Sequence, residues 1–185
     1  VTKDEGPRKG TSKEALAKLR AVFAAGGSVT AGNSSQMSDG AAFVMVMSED
    51  MVKELNLEPV ARMVNYAAAG VEPRIMGIGP IKAIPKALKQ AGLKQDDLSL
   101  IELNEAFAAQ ALSCTRSWGL EDNDPRLNPQ GGAIALGHPL GMTGARLLLT
   151  ASKQLVRNRK KYALVTLCIG VGQGYATILK NAQLP

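Results

Sequence analysis

The stretch from Gly131 to Gly144, GGAIALGHPLGMTG, surrounds the single histidine of the chain with glycines. This glycine density requires a tight backbone around His138. Pro139 is typical of the first position of a helix, so the sequence predicts a helix over Leu140–Arg157 with His138 at its N-cap. The positive end of the helix dipole disfavours a second positive charge, so we expect the imidazole to stay neutral near pH 7. A neutral imidazole is a general base.

Other interpretations of this stretch stay open at the level of the sequence. A lone histidine also occurs as a structural residue in a core or on a surface, and glycines at a helix start also serve packing alone. The same glycines are able to cradle an anion. Their spacing matches neither GxxxxGK[ST] nor a strand-linked GxGxxG, which argues against a nucleoside triphosphate or dinucleotide site.

Composition limits the classes of protein to which the chain belongs. With 185 residues, 45% of them hydrophobic, it is long enough to bury a core, and one domain is the default expectation. The net charge of +6 suits a polyanionic ligand, but the basic residues are too dispersed and the aromatic residues too few to indicate nucleic acid. Cys114 and Cys168 are the only cysteines, so we expect a reducing compartment and neither a disulfide framework nor a metal site.

The ends of the chain and its apolar runs give further expectations. No apolar run approaches about 20 residues, and the polar N-terminus does not resemble a signal peptide, so we expect neither a membrane span nor secretion. The chain begins with Val1 in a charged stretch rather than with Met. This start predicts a processed or excised piece of a longer protein.

Apolar runs alternate with amphipathic stretches along the chain. A capping box, TSKE at Thr11–Glu14, predicts an amphipathic helix that extends to Gly26. Further helices are predicted over Glu49–Leu55 and Ile81–Ala91 and from Asn104 onward. Strands are predicted over Phe43–Met47, Val60–Ala69, Leu98–Leu103, Tyr162–Leu167 and Tyr175–Leu179. This alternation predicts a layered α/β domain, whose last two strands are too closely connected for a crossover helix and are therefore antiparallel.

Three chemically capable residues follow predicted strands: Asn104, His138 and Cys168. The amide of Asn104 is either an N-cap or a group that holds a water or a substrate carbonyl. Cys168 is either an inert buried thiol or a reactive group, because the glycines after it leave the backbone open to a substrate and to an oxyanion. The residues alone indicate acyl transfer through a thiol, with a cysteine hydrolase as the competitor.

Five segments resemble the C-terminal half of thiolases, the acetyl-CoA acyltransferases that split 3-ketoacyl-CoA with free CoA. They are VTAGNSSQMSDGAA, GIGP, LIELNEAFAAQ, NPQGGAIALGHPLGMTGAR and CIGVGQG. The resemblance implies a thiolase-type layered α/β domain with a mixed five-stranded sheet, in the order βαβαβαββ, and helices on both faces. It assigns residues 28–185 to this domain, and residues 1–27 to a tail and helix from the end of the preceding loop region.

The resemblance also implies a role for each candidate residue. His138 is implied to be the base that activates the nucleophilic thiol and to line an oxyanion hole, in which Asn104 orients a water. Cys168 is implied to move protons to and from the α-carbon or the CoA sulfur, and the Gly170 N–H to contribute to a second oxyanion hole. The pantetheine tunnel is implied to be lined by Ser35, Ala31, Ala106 and Phe107. Coenzyme A is thus a substrate, and no cofactor is implied.

One motif departs from the family pattern. Where thiolases commonly show NxNGG, this chain has Asn128-Pro129-Gln130, and the longer amide of Gln130 leaves open what backs the His138 loop. The residues of the segments GNSSQMSDGAAF and CIGVGQG resemble those of the degradative branch, which serves fatty-acid β-oxidation, more closely than those of the biosynthetic acetoacetyl-CoA branch. The alternatives are that biosynthetic branch and a non-catalytic, thiolase-like lipid-binding or assembly module.

Thiolases carry their acylated cysteine in the N-terminal half, which has no counterpart among the five segments. The resemblance therefore implies an acyltransferase when the protein is complete, and an isolated chain that is inactive. Its implied partners are acyl-CoA, CoA and the missing N-terminal half, and the complete enzyme is expected to be a homo-oligomer. We expect it in the cytoplasm or in a reducing organelle matrix.

Overall fold

Strands formed by apolar runs build the central sheet of the described residues, 2–185, in this computed structural model. The strands are β1 (Ala61–Gly70), β2 (Leu100–Leu103), β3 (Tyr162–Ile169) and β4 (Gln173–Asn181). The helices are α1 (Lys13–Ala17), α2 (Glu49–Glu54), α3 (Gly79–Ala91), α4 (Ala108–Ser117), α5 (Ala133–Leu136) and α6 (Thr143–Arg157). No helix within these residues is long and apolar enough to cross a membrane.

The sheet is mixed, with the strand order β1-β4-β3-β2. β2 runs parallel to β3, and β4 runs antiparallel to both β3 and β1. The predicted antiparallel pairing of the last two strands is therefore confirmed. It runs from Tyr162 opposite Lys180 to Ile169 opposite Gln173, because the three residues between the strands allow only a hairpin.

The prediction of five strands is wrong, since the sheet has four. The missing member is the predicted strand over Phe43–Met47, which lies outside the sheet although its sequence is apolar. Phe43 is 89% exposed and Met45 is 83% exposed. A strand is stable only when neighbouring backbone pairs with it, and no strand of residues 2–185 does so here.

Helices cover both faces of the sheet, as predicted for a layered α/β domain. The alternation of side chains along β3 separates the two cores. Leu164 packs with α3 and α4 residues such as Ile84 and Cys114 on one face. Val165 packs with α6 residues such as Leu147 on the other face. The sheet therefore carries a core on each side, and its carboxyl edge is left for loops.

Two predicted helices differ from the structure at their ends. α1 ends at Ala17 instead of near Gly26, and none of its residues is buried. A helix this short has too little tertiary support to continue, because short helices depend on packing of their apolar face. α6 begins at Thr143 with Met142 as N-cap, so the prediction that His138 caps this helix is wrong. Pro139 instead opens a turn, since its carbonyl accepts the N–H groups of Met142 and Thr143.

The helix that follows β2 also begins later than predicted. α4 starts at Ala108, with Phe107 at its N-cap position, whereas the sequence placed the start at Asn104. Residues 104–107 thus form a short connection at the carboxyl edge of the sheet. This correction matters for the site, because it separates Asn104 from any role as a helix cap.

α3 packs against β4 through a direct contact of backbone with backbone at Gly79 and Gly174. A Cβ atom added to Gly174 would overlap the backbone carbonyl group of Gly79. We therefore expect Gly174→Ala to lower the free energy of unfolding by roughly 1–3 kcal/mol, as overpacking does. Urea denaturation measures this change. The control is Gly70→Ala in β1, whose added Cβ meets nothing within 4 Å. Equal midpoints for the two variants would contradict the prediction.

Candidate active site

Asn104 lies at the carboxyl end of β2 and is completely buried. Its backbone N–H donates to the carbonyl of Thr166 at 3.0 Å, which continues the pairing of β2 with β3 by one residue. Its side-chain Nδ2 lies 3.2 Å from Nε2 of His138. The amide therefore faces the candidate base rather than capping a helix.

A second buried amide, Asn128, ties the returning loop to the end of β2. Its Oδ1 accepts the N–H of Leu103 at 2.9 Å, and its Nδ2 donates to the carbonyl of Leu103 at 2.9 Å and to Oε1 of Glu105 at 2.7 Å. Oε2 of Glu105 accepts the N–H of Ile134 at 3.2 Å. A side chain at Gly132 would collide with this carboxylate, so the glycine is needed there. Gln130 is exposed, so Asn128 and Glu105 back the His138 loop instead.

His138 is held at its backbone and at both ring nitrogens. Its N–H donates to the carbonyl of Gln36 at 2.9 Å. Nδ1 lies 2.7 Å from the Thr143 hydroxyl, which itself donates to the carbonyl of Pro139 at 3.0 Å. Because the Thr143 hydroxyl donates its own proton to the carbonyl of Pro139, it accepts a hydrogen bond from the proton on Nδ1 of His138. This arrangement leaves a lone pair on Nε2, to which the Asn104 amide donates.

The imidazole of His138 has the electrostatics expected of a base, although for a different reason from the one predicted. Burial lowers its pKa from the ordinary value, and the positive charge of Arg146 lowers it further. Both effects disfavour the imidazolium. The expectation of a neutral imidazole therefore agrees with the structure, but burial and Arg146 replace the predicted N-cap position as its cause.

Cys168 lies near the end of β3, two residues beyond the carbonyl that accepts the Asn104 N–H. Its thiol is half-buried, and burial raises its pKa. Gly170 is exposed in the hairpin that follows. In the same hairpin Val171 has a φ of 66°, a left-handed conformation that strains a β-branched residue. The parallel strands β2 and β3 thus bring Asn104, Cys168 and Gly170 to one edge of the sheet.

Three of the four residues implied to contact pantetheine form a neighbouring group. Ser35 donates its backbone N–H and its hydroxyl to the carbonyl of Ala106, both at 3.0 Å. Phe107 pairs by its backbone with Ser34 and lies edge-on to Phe23. Ala31 begins a short 3₁₀ turn four residues before Ser35 and is exposed. Ser35, Ala106 and Phe107 are therefore brought together beside Asn104.

An open groove of about 370 Å³ lies beside the His138 loop. One wall is formed by residues 38–42 and the other by residues 139–142. Its lining includes Asp39, Pro139 and Met142. The candidate base therefore borders an open surface rather than a closed pocket.

Several residues of the site escaped the sequence analysis, namely Asn128, Glu105, Thr143 and Arg146. Asn128 and Glu105 act through contacts between distant parts of the chain, such as the bond of Asn128 to Leu103. Thr143 acts through a local contact with His138, five residues before it. The only signal available was position, because Glu105 adjoins Asn104 and Thr143 follows the His138 turn. Cys114 is 2% exposed, and its thiol donates to the carbonyl of Gly77, which agrees with its predicted packing role.

Comparison with known protein families gives an independent result. Residues 57–181 match the family model described as the C-terminal domain of thiolase. The chain belongs to the thiolase family. Residues 1–50 match the model of the thiolase N-terminal domain, so the division predicted at residue 28 lies within this first matched range.

Named relatives of this thiolase chain are similar over almost its whole length. A β-ketoadipyl-CoA thiolase from Acinetobacter baylyi is 55% identical over 98% of this chain and 45% of its own length. An acetyl-CoA acetyltransferase from Allochromatium vinosum is 54% identical over 96% of this chain and 45% of its own length. The chain thus spans about half the length of these relatives.

Solved structures confirm the thiolase fold. A Bacillus anthracis acetyl-CoA acetyltransferase superposes with a TM-score of 0.91 at 43% identity, covering 97% of this chain and 45% of the other. A human mitochondrial 3-ketoacyl-CoA thiolase in complex with CoA superposes with a TM-score of 0.88 at 47% identity, covering 96% and 45% of the two chains. The mixed sheet with helices on both faces is therefore the fold of this family.

Thr143 is expected to fix the tautomer of His138. Thr143→Val removes the hydroxyl that accepts the Nδ1 proton, so we expect the ring to change from an Nδ1–H form to a mixture of tautomers. His138 is the single histidine of the chain, so its ring ¹⁵N resonances report this change without ambiguity. Thr143→Ser keeps the hydroxyl and serves as the control. An unchanged Nδ1–H form in the valine variant would contradict this role.

Proposed function

We propose that this chain is the C-terminal catalytic part of a 3-ketoacyl-CoA thiolase, which transfers an acyl group to CoA. The observation that carries the proposal is the contact between Asn104 and His138 at the carboxyl edge of the sheet, in which the unprotonated Nε2 of the imidazole accepts from the Asn104 amide. A purely structural or assembly module would not need a neutral base paired with a buried amide donor. The contact therefore favours the catalytic alternative.

In the proposed cleavage, Nε2 of His138 takes the proton of a cysteine thiol that the rest of the thiolase supplies. The resulting thiolate attacks the 3-keto carbonyl of the substrate. The bond between the α- and β-carbons breaks, and Cys168 protonates the departing carbanion to give acetyl-CoA. In the second half-reaction Cys168 takes the proton of CoA, whose sulfur attacks the acyl-enzyme thioester. The bond between the acyl carbon and the enzyme cysteine then breaks, acyl-CoA leaves, and the cysteine sulfur regains its proton from His138. The raised pKa of Cys168 supports this role, because the thiol keeps a proton to donate.

The negative charge that develops on substrate oxygens needs preorganised donors. We assign one oxyanion hole to His138 together with a water held by the Asn104 amide. A second hole contains the N–H of Gly170, which is exposed at the same edge of the sheet. The pantetheine arm of CoA is assigned to the group formed by Ser35, Ala31, Ala106 and Phe107. These assignments use CoA as a substrate and require no cofactor.

The proposed reaction needs a second reactive thiol, and Cys114 does not suit that purpose. It is buried in the core, where burial raises its pKa to about 11. The exposed apolar segment 43–47 supports a further polypeptide at this face, because Phe43 is 89% exposed and Met45 is 83% exposed. We propose that the remainder of a thiolase, in the same or another chain, covers this segment and supplies the acylated cysteine. The complete enzyme is proposed to be a homo-oligomer of the cytoplasm or a reducing organelle.

The substrate class has two candidates. The residues of the motifs GNSSQMSDGAAF and CIGVGQG favour the linear 3-ketoacyl-CoA esters of fatty-acid β-oxidation as substrates. We take these esters as the leading proposal. The similarity to β-ketoadipyl-CoA thiolase favours a 3-ketoacyl-CoA that ends in a carboxylate. The acetyl-CoA acetyltransferase relatives keep the biosynthetic direction as an alternative. Relative kcat/KM values for β-ketoadipyl-CoA, acetoacetyl-CoA and a longer unbranched 3-ketoacyl-CoA would rank these three.

The chain alone is expected not to cleave 3-ketoacyl-CoA at a useful rate, because one sulfur is unable to stay acylated and also protonate the departing carbon. A thiolysis assay on the isolated chain, repeated with an N-terminal thiolase half added in trans, measures this. In the assembled enzyme His138→Ala should lower kcat by a factor on the order of 10²–10⁴, as loss of a general base does. Substantial activity of the isolated chain that Cys168→Ser abolishes and Cys114→Ser does not would overturn the two-half proposal.

Cys168 is expected to stay unacylated during turnover. Its half-buried thiol keeps its proton at neutral pH, whereas a nucleophile must be a thiolate. Trapping the acyl-enzyme of the assembled protein and mapping the label by peptide mass spectrometry locates the acyl group. Labelling of a cysteine outside this chain agrees with the proposal. An acyl group found on Cys168 would contradict the thiolase proposal and favour the cysteine hydrolase instead.

A further inference from the structure

A polar stripe runs along the face of α6 that packs against β2. Thr143 at its start contacts His138, and Gln154 near its end donates to Oε1 of the buried Glu102 at 2.7 Å. Arg146 lies between them, where the helical period places it on the same face. On β2, Glu102 and Asn104 are two residues apart and share the face that meets α6. One end of the stripe is therefore anchored to the candidate base, and the other end is anchored to Glu102 on β2.

Arg146 is the unusual member of this stripe. All three nitrogens of its guanidinium group are buried and have no hydrogen-bond partner in the described part of the chain. A guanidinium group stays charged in proteins, and a buried charge without partners costs several kcal/mol. A surface position would avoid this cost, so the buried position requires an explanation.

The charge of Arg146 acts on two groups of the site. It lowers the pKa of His138, second to burial. It also opposes the effect of burial on Glu102, whose pKa burial nevertheless raises to about 7. Burial therefore disfavours the charged carboxylate of Glu102, so this carboxylate offsets the guanidinium only in part. The imidazole accordingly experiences a positive charge that Glu102 does not fully neutralise.

We propose that Arg146 is a positioning residue of this site, whose buried charge keeps the imidazole of His138 neutral so that Nε2 is available as the base. The inference rests on the proposed role of His138 in catalysis. The charge of Arg146 is a second cause of the neutral imidazole, besides the burial of His138. Because Arg146 lies on α6, this charge is present whether or not a substrate is bound. The cost of burying the guanidinium is thus linked to the function of the imidazole.

The other titratable groups around His138 are differently engaged. Glu105, in the connection after β2, is bonded to Asn128 and to the Ile134 N–H. Asp39 is exposed in the segment that borders the His138 loop, and Cys168 on β3 is a neutral thiol. Glu102 on β2 is bonded to Gln154. Among these elements, Arg146 therefore supplies the positive charge that lowers the pKa of His138.

The test is an NMR titration of the single histidine in the 185-residue chain. Arg146→Met removes the charge and keeps an apolar chain of similar length, so the titration of His138 should move to higher pH. Arg146→Lys keeps the charge and should restore the titration toward that of the unsubstituted chain. Arg157→Met removes the same charge from the exposed end of the same helix and should leave the titration in place. An unchanged titration in Arg146→Met would overturn the inference.

Damage to the interface is a second explanation of any shift, and Glu102→Gln separates it from an effect of charge. This variant perturbs the same interface and removes no positive charge, so the titration should not move to higher pH. A shift to higher pH as large as that of Arg146→Met would overturn the inference. If Arg146→Met does not fold, Arg146→Gln replaces it and gives the same two outcomes.

Kinetics of the complete enzyme distinguish this inference from the proposed function. We expect Arg146→Met to lower kcat by roughly 10- to 100-fold with KM nearly unchanged, as loss of a supporting residue does, and to move the acidic limb of the kcat profile to higher pH. If the unsubstituted enzyme shows no thiolysis, the proposed function fails while the titration still tests Arg146. If thiolysis is present and the acidic limb does not move, the inference alone fails.

Discussion

The contact between the side chains of Asn104 and His138 joins parts of the chain that are 34 residues apart, and the other features of the site hold one partner or the other. Asn104 is fixed by the pairing of β2 with β3, through its N–H and the carbonyl of Thr166. His138 is fixed by its ring contact with Thr143 and by its N–H, which donates to Gln36. A change in either support would separate the candidate base from its amide donor.

The supports of the site come from both ranges that match thiolase family models. Gln36 and Ser35 lie in the range matched to the N-terminal domain, whereas Ala106 and His138 lie in the range matched to the C-terminal domain. The bonds from His138 to Gln36 and from Ser35 to Ala106 cross between them. The segment before residue 50 therefore belongs to the site physically, even though most of its side chains are exposed.

Local pattern predicted the strands of the sheet and the edge at which the site lies. The run Leu98–Leu103 is apolar and short, so it predicts a buried strand, and Asn104 follows it at the carboxyl edge by necessity. The pattern failed where stability depends on a distant partner. Phe43–Met47 has the composition of a strand, but composition does not supply the backbone with which a strand pairs. The contacts of Asn128 were equally invisible, because they depend on where the chain returns to the end of β2.

Burial shifts the pKa values of His138 and Cys168 in opposite directions. Burial disfavours charge, and the neutral form of histidine lacks a proton whereas the neutral form of cysteine carries one. Burial accordingly lowers the pKa of His138 and raises the pKa of Cys168. The imidazole is thus ready to accept a proton and the thiol is ready to donate one. A cysteine hydrolase requires the reverse, a thiolate stabilised by an imidazolium. The shared burial of these residues therefore favours a base and a separate proton donor over a nucleophilic pair.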